Sequence, residues 1–456
     1  MGIKLDWQIE AERVYERSGE DPSARRQRYR QRLQLIFFTV GVMLGIGGLA
    51  AAVMIRLNTV DNALKQSLSE TVHAEISALR IGSYTDFMAL QRSADRYWLE
   101  LQDARYQDYQ TKKEAGAVEL VGHIVDATID GQRGRVVIEE VREGTPYHLV
   151  WFYWRYTDGW RHVPSDYTFW GDPAEIMGTQ VTVQYNTLDQ AFAKELADQV
   201  DRWWADGCAL LDCKDAPPLT IHIISNPLKQ MGWDVSTEPK RLTFIVVSPL
   251  AAADGTRADV VLSESLASQI ALSIADRQFS LATHGLELDD TSDVAWLKQA
   301  IINWLAADFT NQVDLNANGF VQSLKDNYGA ASIGQMVRAL TRDADISVVG
   351  LVLNQSLPTL RLDWRSFFQH RLDVEKTLLA ESRVDEFSRL WDGDDATRPA
   401  KNARLNNPTM PSPQVQVVAI SPDANNVMTA IIQATLNDQQ VLVMFRFVGG
   451  TWKRIS

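Results

Sequence analysis

The chain has 456 residues, 45% of them apolar, and its 45 Lys and Arg against 58 Asp and Glu leave a formal charge of −13. That length accommodates two or three domains of ordinary size. The acidic balance speaks against binding a phosphate backbone, so no nucleic-acid partner is expected, and two cysteines exclude a disulfide-rich scaffold.

Residues 1–34 carry eight basic and six acidic side chains, with Arg25, Arg26, Arg28, Arg30 and Arg32 at their end and no acid from Pro22 to Gln34. Residues 35–55 follow as LIFFTVGVMLGIGGLAAAVMI, uncharged throughout, with Thr39 the one polar side chain. At about 1.5 Å per residue this run matches the roughly 30 Å hydrocarbon core of a bilayer. The arginines place the N-terminus in the cytoplasm. Leader and apolar run are both too long for a cleaved signal peptide, so a signal anchor is expected. The chain then reads as a single-pass plasma-membrane protein whose first partner is the lipid bilayer, with residues 56–456 extracytoplasmic. The arginine-rich leader and the lack of cysteine-rich modules suggest a bacterial membrane. The tail contributes +2, so the outer part carries −15 of the total. Gly41 and Gly45 form the GxxxG spacing of close helix pairs and mark a candidate homodimer contact. Glu10, Glu12, Arg13, Glu16 and Arg17 alternate in sign along the basic tail, which either meets an intracellular partner or serves only to set topology.

Residues 56–175 begin as helix, without proline to Gly116, and turn to β-rich runs at 118–129, 135–141, 147–156 and 160–163. Asp130-Gly131, Glu143-Gly144 and Asp158-Gly159 separate these runs and suit tight hairpins. Helices followed by an antiparallel meander make an α+β module. Trp151, Phe152, Tyr153, Trp154, Tyr156 and Trp160 either line an apolar pocket or pack the sheet on its helices.

In residues 176–372 a strand at 181–185 leads into a helix with Phe192, Leu196, Val200 and Trp203 on one face. Strands at 219–224 and 242–247 come next. Helices are expected at 260–275, 294–309, 320–328, 333–341 and 363–372. Cys208 and Cys213, with four residues between them, suit a small local disulfide in an oxidising compartment better than a metal pair. Asp314, Asn316, Asn318 and Gly319 imitate the start of a calcium loop, but Lys325 occupies the position that needs a bidentate carboxylate, so a polar loop is expected.

Residues 373–456 echo the first module. LRIGSYTDFMALQ (79–91) parallels LLAESRVDEFSRLWD (378–392), with Phe87 over Phe387 and Leu90 over Leu390. LVWFYWRYTDGWRHV (149–163) parallels LVMFRFVGGTWKRI (442–455), each an apolar strand, a glycine turn, then Trp and a base. This is a partial internal repeat, interrupted by a polar loop at 392–413. Both copies resemble the cone-shaped α+β fold of nuclear transport factor 2-like proteins, which implies a helix layer behind a curved sheet.

No GxSxG, GxxxxGK[ST] or HExxH occurs. The order of elements over 180–372 resembles the peptidase MA-like group of gluzincin metallopeptidases. Trp296-Leu297 matches the opening of that family's second active-site helix, and Asp363-Trp364-Arg365 its late helix. Set on that pattern, the two imidazole positions hold Ser263 and Ala267, the carboxylate ligand position holds Gln299, and only Glu264 keeps the general base. Zinc there requires two imidazoles and a carboxylate, so the resemblance implies a vestigial site with no metal and no cofactor, in which Ser263 and Gln299 hydrogen-bond one another. The overall expectation is an α+β protein: one transmembrane helix, then a multidomain ectodomain with antiparallel sheets and a helical peptidase-like centre. Its function is expected to be that of a pseudopeptidase in binding, scaffolding or transmembrane regulation, with a protein partner on the outer face. The alternative is an active hydrolase pairing Glu264 with an acid among Glu287, Asp289, Asp290 and Asp293.

Overall fold

A computed structural model describes residues 22–165, 169–213, 216–226, 228–236, 241–252, 254–258, 262–288, 293–312, 315–342 and 344–456. The alternating-charge tail, Asp289, Asp290 and Asp314 lie outside the described residues, as do the side chains of Asp293, Asn316 and Asn318.

The first helix, α1 (Pro22–Ile81), runs for 60 residues without a break, or about 90 Å at the helical rise. It contains the one described segment apolar and long enough to cross a membrane, and none of that apolar window is buried in the protein. Toward its end the pattern inverts. Leu68, Val72, Ile76 and Leu79, at helical spacing, become almost fully buried. Sequence periodicity suggests helix onward through residue 116, but the chain turns twice. Gly82 at φ +80° ends α1, where its N–H and that of Ser83 cap Ala78 O. Two further helices follow, α2 (Tyr84–Leu90) and α3 (Arg96–Glu114), the latter capped by the Asp95 carboxylate on Tyr97 N–H.

The chain divides into two compact units, one of residues 1–143 with 150–169 and one of 144–149 with 170–456. The first sheet carries β1 (Val118–Asp130), β2 (Arg133–Arg142), β3 (Thr145–Tyr156) and β4 (Gly159–His162) in antiparallel order. Its hairpins fall at the glycine dipeptides, and Glu143 (φ +47°) with Gly144 (φ +81°) forms the mirror-image turn that suits strand twist.

In the second unit, β5 (Pro173–Met177), β6 (Val181–Asn186), β7 (Leu219–Ile224), β8 (Gly232–Trp233) and β9 (Leu242–Val247) form a mixed sheet in the order β5-β6-β7-β9-β8. β6, β7 and β9 are parallel, and β5 and β8 close the edges antiparallel. β7 and β9 are apolar and buried almost throughout, as parallel strands covered on both faces must be. The crossover from β6 to β7 is α4 (Gln190–Leu211), whose Phe192, Leu196, Val200 and Trp203 are buried. β10 (Thr256–Arg257) precedes α5 (Glu264–Ala282), α6 (Asp293–Thr310), α7 (Leu315–Tyr328), α8 (Ala330–Ala339) and α9 (Ser347–Leu353). α4 and α5 meet at Gly207, where an added Cβ would fall 2.0 Å from Gln278 Oε1. Residues 315–319, expected as a polar loop, form the start of α7.

α10 (Trp364–Ala380) serves two bodies of core. Its first half packs Trp364 and Phe367 against Phe320, and its second half leads into α11 (Val384–Arg389), α12 (Arg398–Leu405) and the meander β11 (Gln414–Pro422), β12 (Met428–Leu436), β13 (Gln439–Val448) and β14 (Thr451–Arg454). Residues 392–413, expected as a polar loop, contain α12, because Pro399 at the first turn and the Asp394 cap just ahead start a helix there.

The internal repeat is visible residue by residue. Buried Leu68, Val72, Phe87 and Gln91 have counterparts 300 positions on in Phe368, Leu372, Phe387 and Trp391, all buried as well. Phe87 N–H bonds Ser83 O, and Phe387 N–H bonds Arg383 O. Gln91 bridges His162 as Trp391 bridges Arg454, and Trp160 and Trp452 are both fully buried in the last strand.

One buried base in this core makes a pH prediction. His370 sits beside Trp296, and burial, with Arg371 close by, pushes its imidazole down to about 4. The unfolded imidazole titrates near 6.5, so between these values the unfolded chain binds a proton that the folded chain does not. Stability attributable to this residue is therefore complete above pH 6.5 and lost as pH falls toward 4, by an amount on the order of 3 kcal/mol. In denaturant melts at pH 7 and pH 4.5, His370→Phe should lose less stability on acidification than the parent. Equal losses would show that this imidazole protonates without penalty in the fold.

Candidate functional site

At the four positions expected to mark a lost metal site, the side-chain hydrogen bonds are local ones. Ser263 is the N-cap of α5, and its Oγ accepts from Leu266 N–H at 3.2 Å. It stands outside the helix, because a serine hydroxyl satisfies an orphan N–H of the first turn better than a helical serine would. Glu264 is exposed in that first turn, and Ala267 is half-buried without a donor atom. Gln299 on α6 is exposed and donates to Asn303 Oδ1 at 2.8 Å. The expected Ser263–Gln299 hydrogen bond is thus replaced by a local bond at each residue. Among the described residues, no three His, Cys, Asp or Glu side chains are grouped as metal ligands.

Of the carboxylates in the alternative pairing, Glu264 begins the 19-residue α5 and Glu287 lies five residues beyond its end, and the helix itself spans about 27 Å. Acid–base pairs that flank a scissile bond stand roughly 5–9.5 Å apart.

The expected Cys208–Cys213 disulfide is not formed, and both residues are thiols. Cys208 lies in the last turn of α4, and Asp212 in the left-handed region (φ +63°) reverses the chain so that Cys213 N–H caps Cys208 O at 3.2 Å. The cap holds the sulfurs as hydrogen-bonded neighbours. That bond to Cys213, then burial, raises the Cys208 thiol above its ordinary range.

Two arrangements that sequence reasoning missed stand out. The first is a buried carboxylate in the first unit. Glu75, fully buried on α1, accepts from His162 Nδ1 at 2.7 Å, Gln91 Nε2 at 2.8 Å and Tyr153 OH at 2.8 Å. The rings of Trp98, Trp151 and Tyr153 enclose the imidazole at centroid distances of 5.4, 5.3 and 5.1 Å. Burial, then the nearby carboxylate, raises the Tyr153 phenol well above its usual value, so it stays protonated and donates. The repeat preserves the acid but changes its partners. Glu375, 1% exposed, pairs with Arg454 Nη1 at 2.5 Å, and Phe445 takes the place of Tyr153 opposite that strand. The matching numbers Glu75 and Glu375, and the base two residues beyond each Trp, were the available signal.

The second is an open groove of about 1220 Å³ in the second unit, walled by the end of α6, by α7, by the start of α10 and by the first residues of β11. Its charges are matched internally. Lys325 pairs with Asp308 at 3.4 Å and covers the Trp304 ring at 5.1 Å. Arg365 pairs with Asp363 at 2.5 Å, and that hydrogen bond holds the Asp363 carboxyl below its usual range. The remaining polar lining is neutral, chiefly the carboxamides of Asn311, Gln312, Gln322, Gln369, Gln414 and Gln416. Gly319 lets α7 approach α10 here, since a Cβ on it would stand 2.9 Å from Asp363 Oδ2. Such a surface suits recognition of uncharged polar groups.

Compared with known protein families, with curated proteins and with solved structures, the chain matches none.

The two carboxylates give contrasting expectations. Glu75→Ala leaves three buried donors without their acceptor and should destabilise the chain by about 3–5 kcal/mol. Glu264→Ala, at an exposed position, should stay within about 0.5 kcal/mol of the parent. Chemical denaturation of both variants checks this, and similar losses at the two sites would contradict the contrast.

Proposed function

We propose that this is a membrane-anchored binding protein, a pseudopeptidase held at the outer face of a plasma membrane that acts by binding, scaffolding or transmembrane regulation. One observation carries the reading. The apolar run of α1, unburied in the protein, continues without a break into the helix that bears Leu68, Val72 and Glu75. A buried change around Glu75 is thereby linked through a single helix to the membrane and to the basic flank beyond it. The neutral, locally satisfied residues at Ser263, Ala267 and Gln299 support binding without zinc chemistry, because a general base at Glu264 has no metal-bound water to activate. Nothing lies within 4 Å of where a Cβ on Gly41 or Gly45 would stand, which leaves that face of the helix open to a second copy.

Full-length chain in detergent tests the reading. It should contain no stoichiometric zinc and cleave no peptide. A reporter active only outside the cytoplasm should work when fused after Ser456 and stay silent when fused before Gly2. One zinc per chain, lost together with peptidase activity in Glu264→Ala, would replace this reading with a hydrolase. The opposite reporter pattern would reverse the topology.

A further inference from the structure

We propose that the groove of the second unit takes an extended, uncharged polar segment of another polypeptide, added as a strand to the open edge of β11; this rests on the binding-protein reading above. Among the described residues β11 pairs only with β12, so one edge of the sheet is left open. Edge strands are guarded by charge, proline or bulges; Gln414–Pro422 reads QVQVVAISP, with no charge, its proline at the far end and its bulge beside the groove, so the stretch between them is left unguarded.

Two markers fix which main-chain groups face that edge. Val415 N–H already donates outward, to Gln369 Oε1 at 2.9 Å. The Gln369 carboxamide thereby occupies the place of a neighbouring strand's peptide group. At the other end Pro422 has no N–H to give β12, so its nitrogen belongs on the open side. Main-chain groups alternate sides along a strand, so counting back by twos from Pro422 turns Ile420 and Val418 outward. The single-residue bulge between Val415 and Val417 brings Val415 into the same phase. The agreement of the two markers leaves a row of donors and acceptors that begins at the groove and runs along β11.

The groove sets the rest of the ligand. At about 1220 Å³ and open, it exceeds the roughly 300–1,000 Å³ of sites that enclose a small molecule, as a polymer track would. Its charges are paired with one another, which disfavours a charged segment, and its carboxamides match peptide groups and neutral polar side chains. A sugar chain would need an aromatic platform, and the one indole present, Trp304, is 4% exposed and covered by Lys325.

The test uses full-length chain in detergent and an immobilised array of end-blocked octapeptides built from Ser, Thr, Asn, Gln and Val. Each peptide has a duplicate N-methylated at alternate residues, and chito-oligosaccharides are spotted beside them. Expected is binding to a subset of peptides and at least tenfold weaker binding to their methylated duplicates. Hydrogen exchange at Val418 and Ile420 should slow when the best peptide is added, and Val417→Lys, an exposed change that guards the edge, should reduce binding at least tenfold. Equal binding of methylated and unmethylated peptides, binding of the oligosaccharide in their place, or binding of nothing on the array would overturn strand addition while leaving the anchored, metal-free reading intact. Cleavage of bound peptides would instead remove that reading.

Discussion

Helix α1 is the element on which the other features depend. A helix in lipid satisfies its backbone internally and needs nothing from its neighbours, whereas a helix in a folded core is held by what it packs against. Here one uninterrupted helix is apolar and bare over its first part and is then threaded by Leu68, Val72, Ile76 and Leu79 into the first unit. From Ile55 to Leu68 is about 20 Å of unbroken helix. Glu75 then sets the inner end. A carboxylate with three donors fixes the azimuth of α1 against β3, β4 and α2, since any rotation would leave a buried charge or donor unpaired.

The duplicated module shows how the same frame was used twice. Helix, short helix, helix and four-stranded meander recur, with a buried glutamate at the same place in the first helix. In the second copy the partner is the guanidinium of Arg454, and the hydrogen-bonding phenol is replaced by Phe445. In the first, the partners are an imidazole, a carboxamide and a phenol. The second copy also gives up independence, for its Val443, Phe445 and Trp452 belong to the same core as Phe367 and Phe368 of the centre. That sharing arises from α10, which supplies Trp364 and Phe367 to one side and Leu378 and Leu379 to the other.

Much of the frame was legible in the sequence, for local reasons. The strands of the first meander and the last hairpin of the second were marked by glycine turns that accept positive φ, and β6, α4, β7 and β9 fell where alternation and helical period put them. Helix boundaries were less legible. Residues 56–116 have helical periodicity throughout, and only the left-handed Gly82 and the cap at Asp95 divide them. Ser263 reads as an interior position in a pattern of apolar spacing, yet its hydroxyl makes it a cap. The sites were the least visible. Glu75 and His162 stand 87 positions apart, and the groove gathers residues from four elements whose polar side chains look like solvated faces one at a time. Free thiols at Cys208 and Cys213 reflect the cap geometry, which spacing alone does not convey.

The apolar segment of α1 and the part packed into the core of the first unit are one continuous helix. Hydrogen exchange of the full chain in lipid nanodiscs, read residue by residue from Arg56 to Leu68, measures this most directly. A continuous helix gives slow exchange through the whole interval, joining the lipid-protected amides to the core-protected ones. Rapid exchange across residues 57–66 would show a flexible linker there and contradict the account.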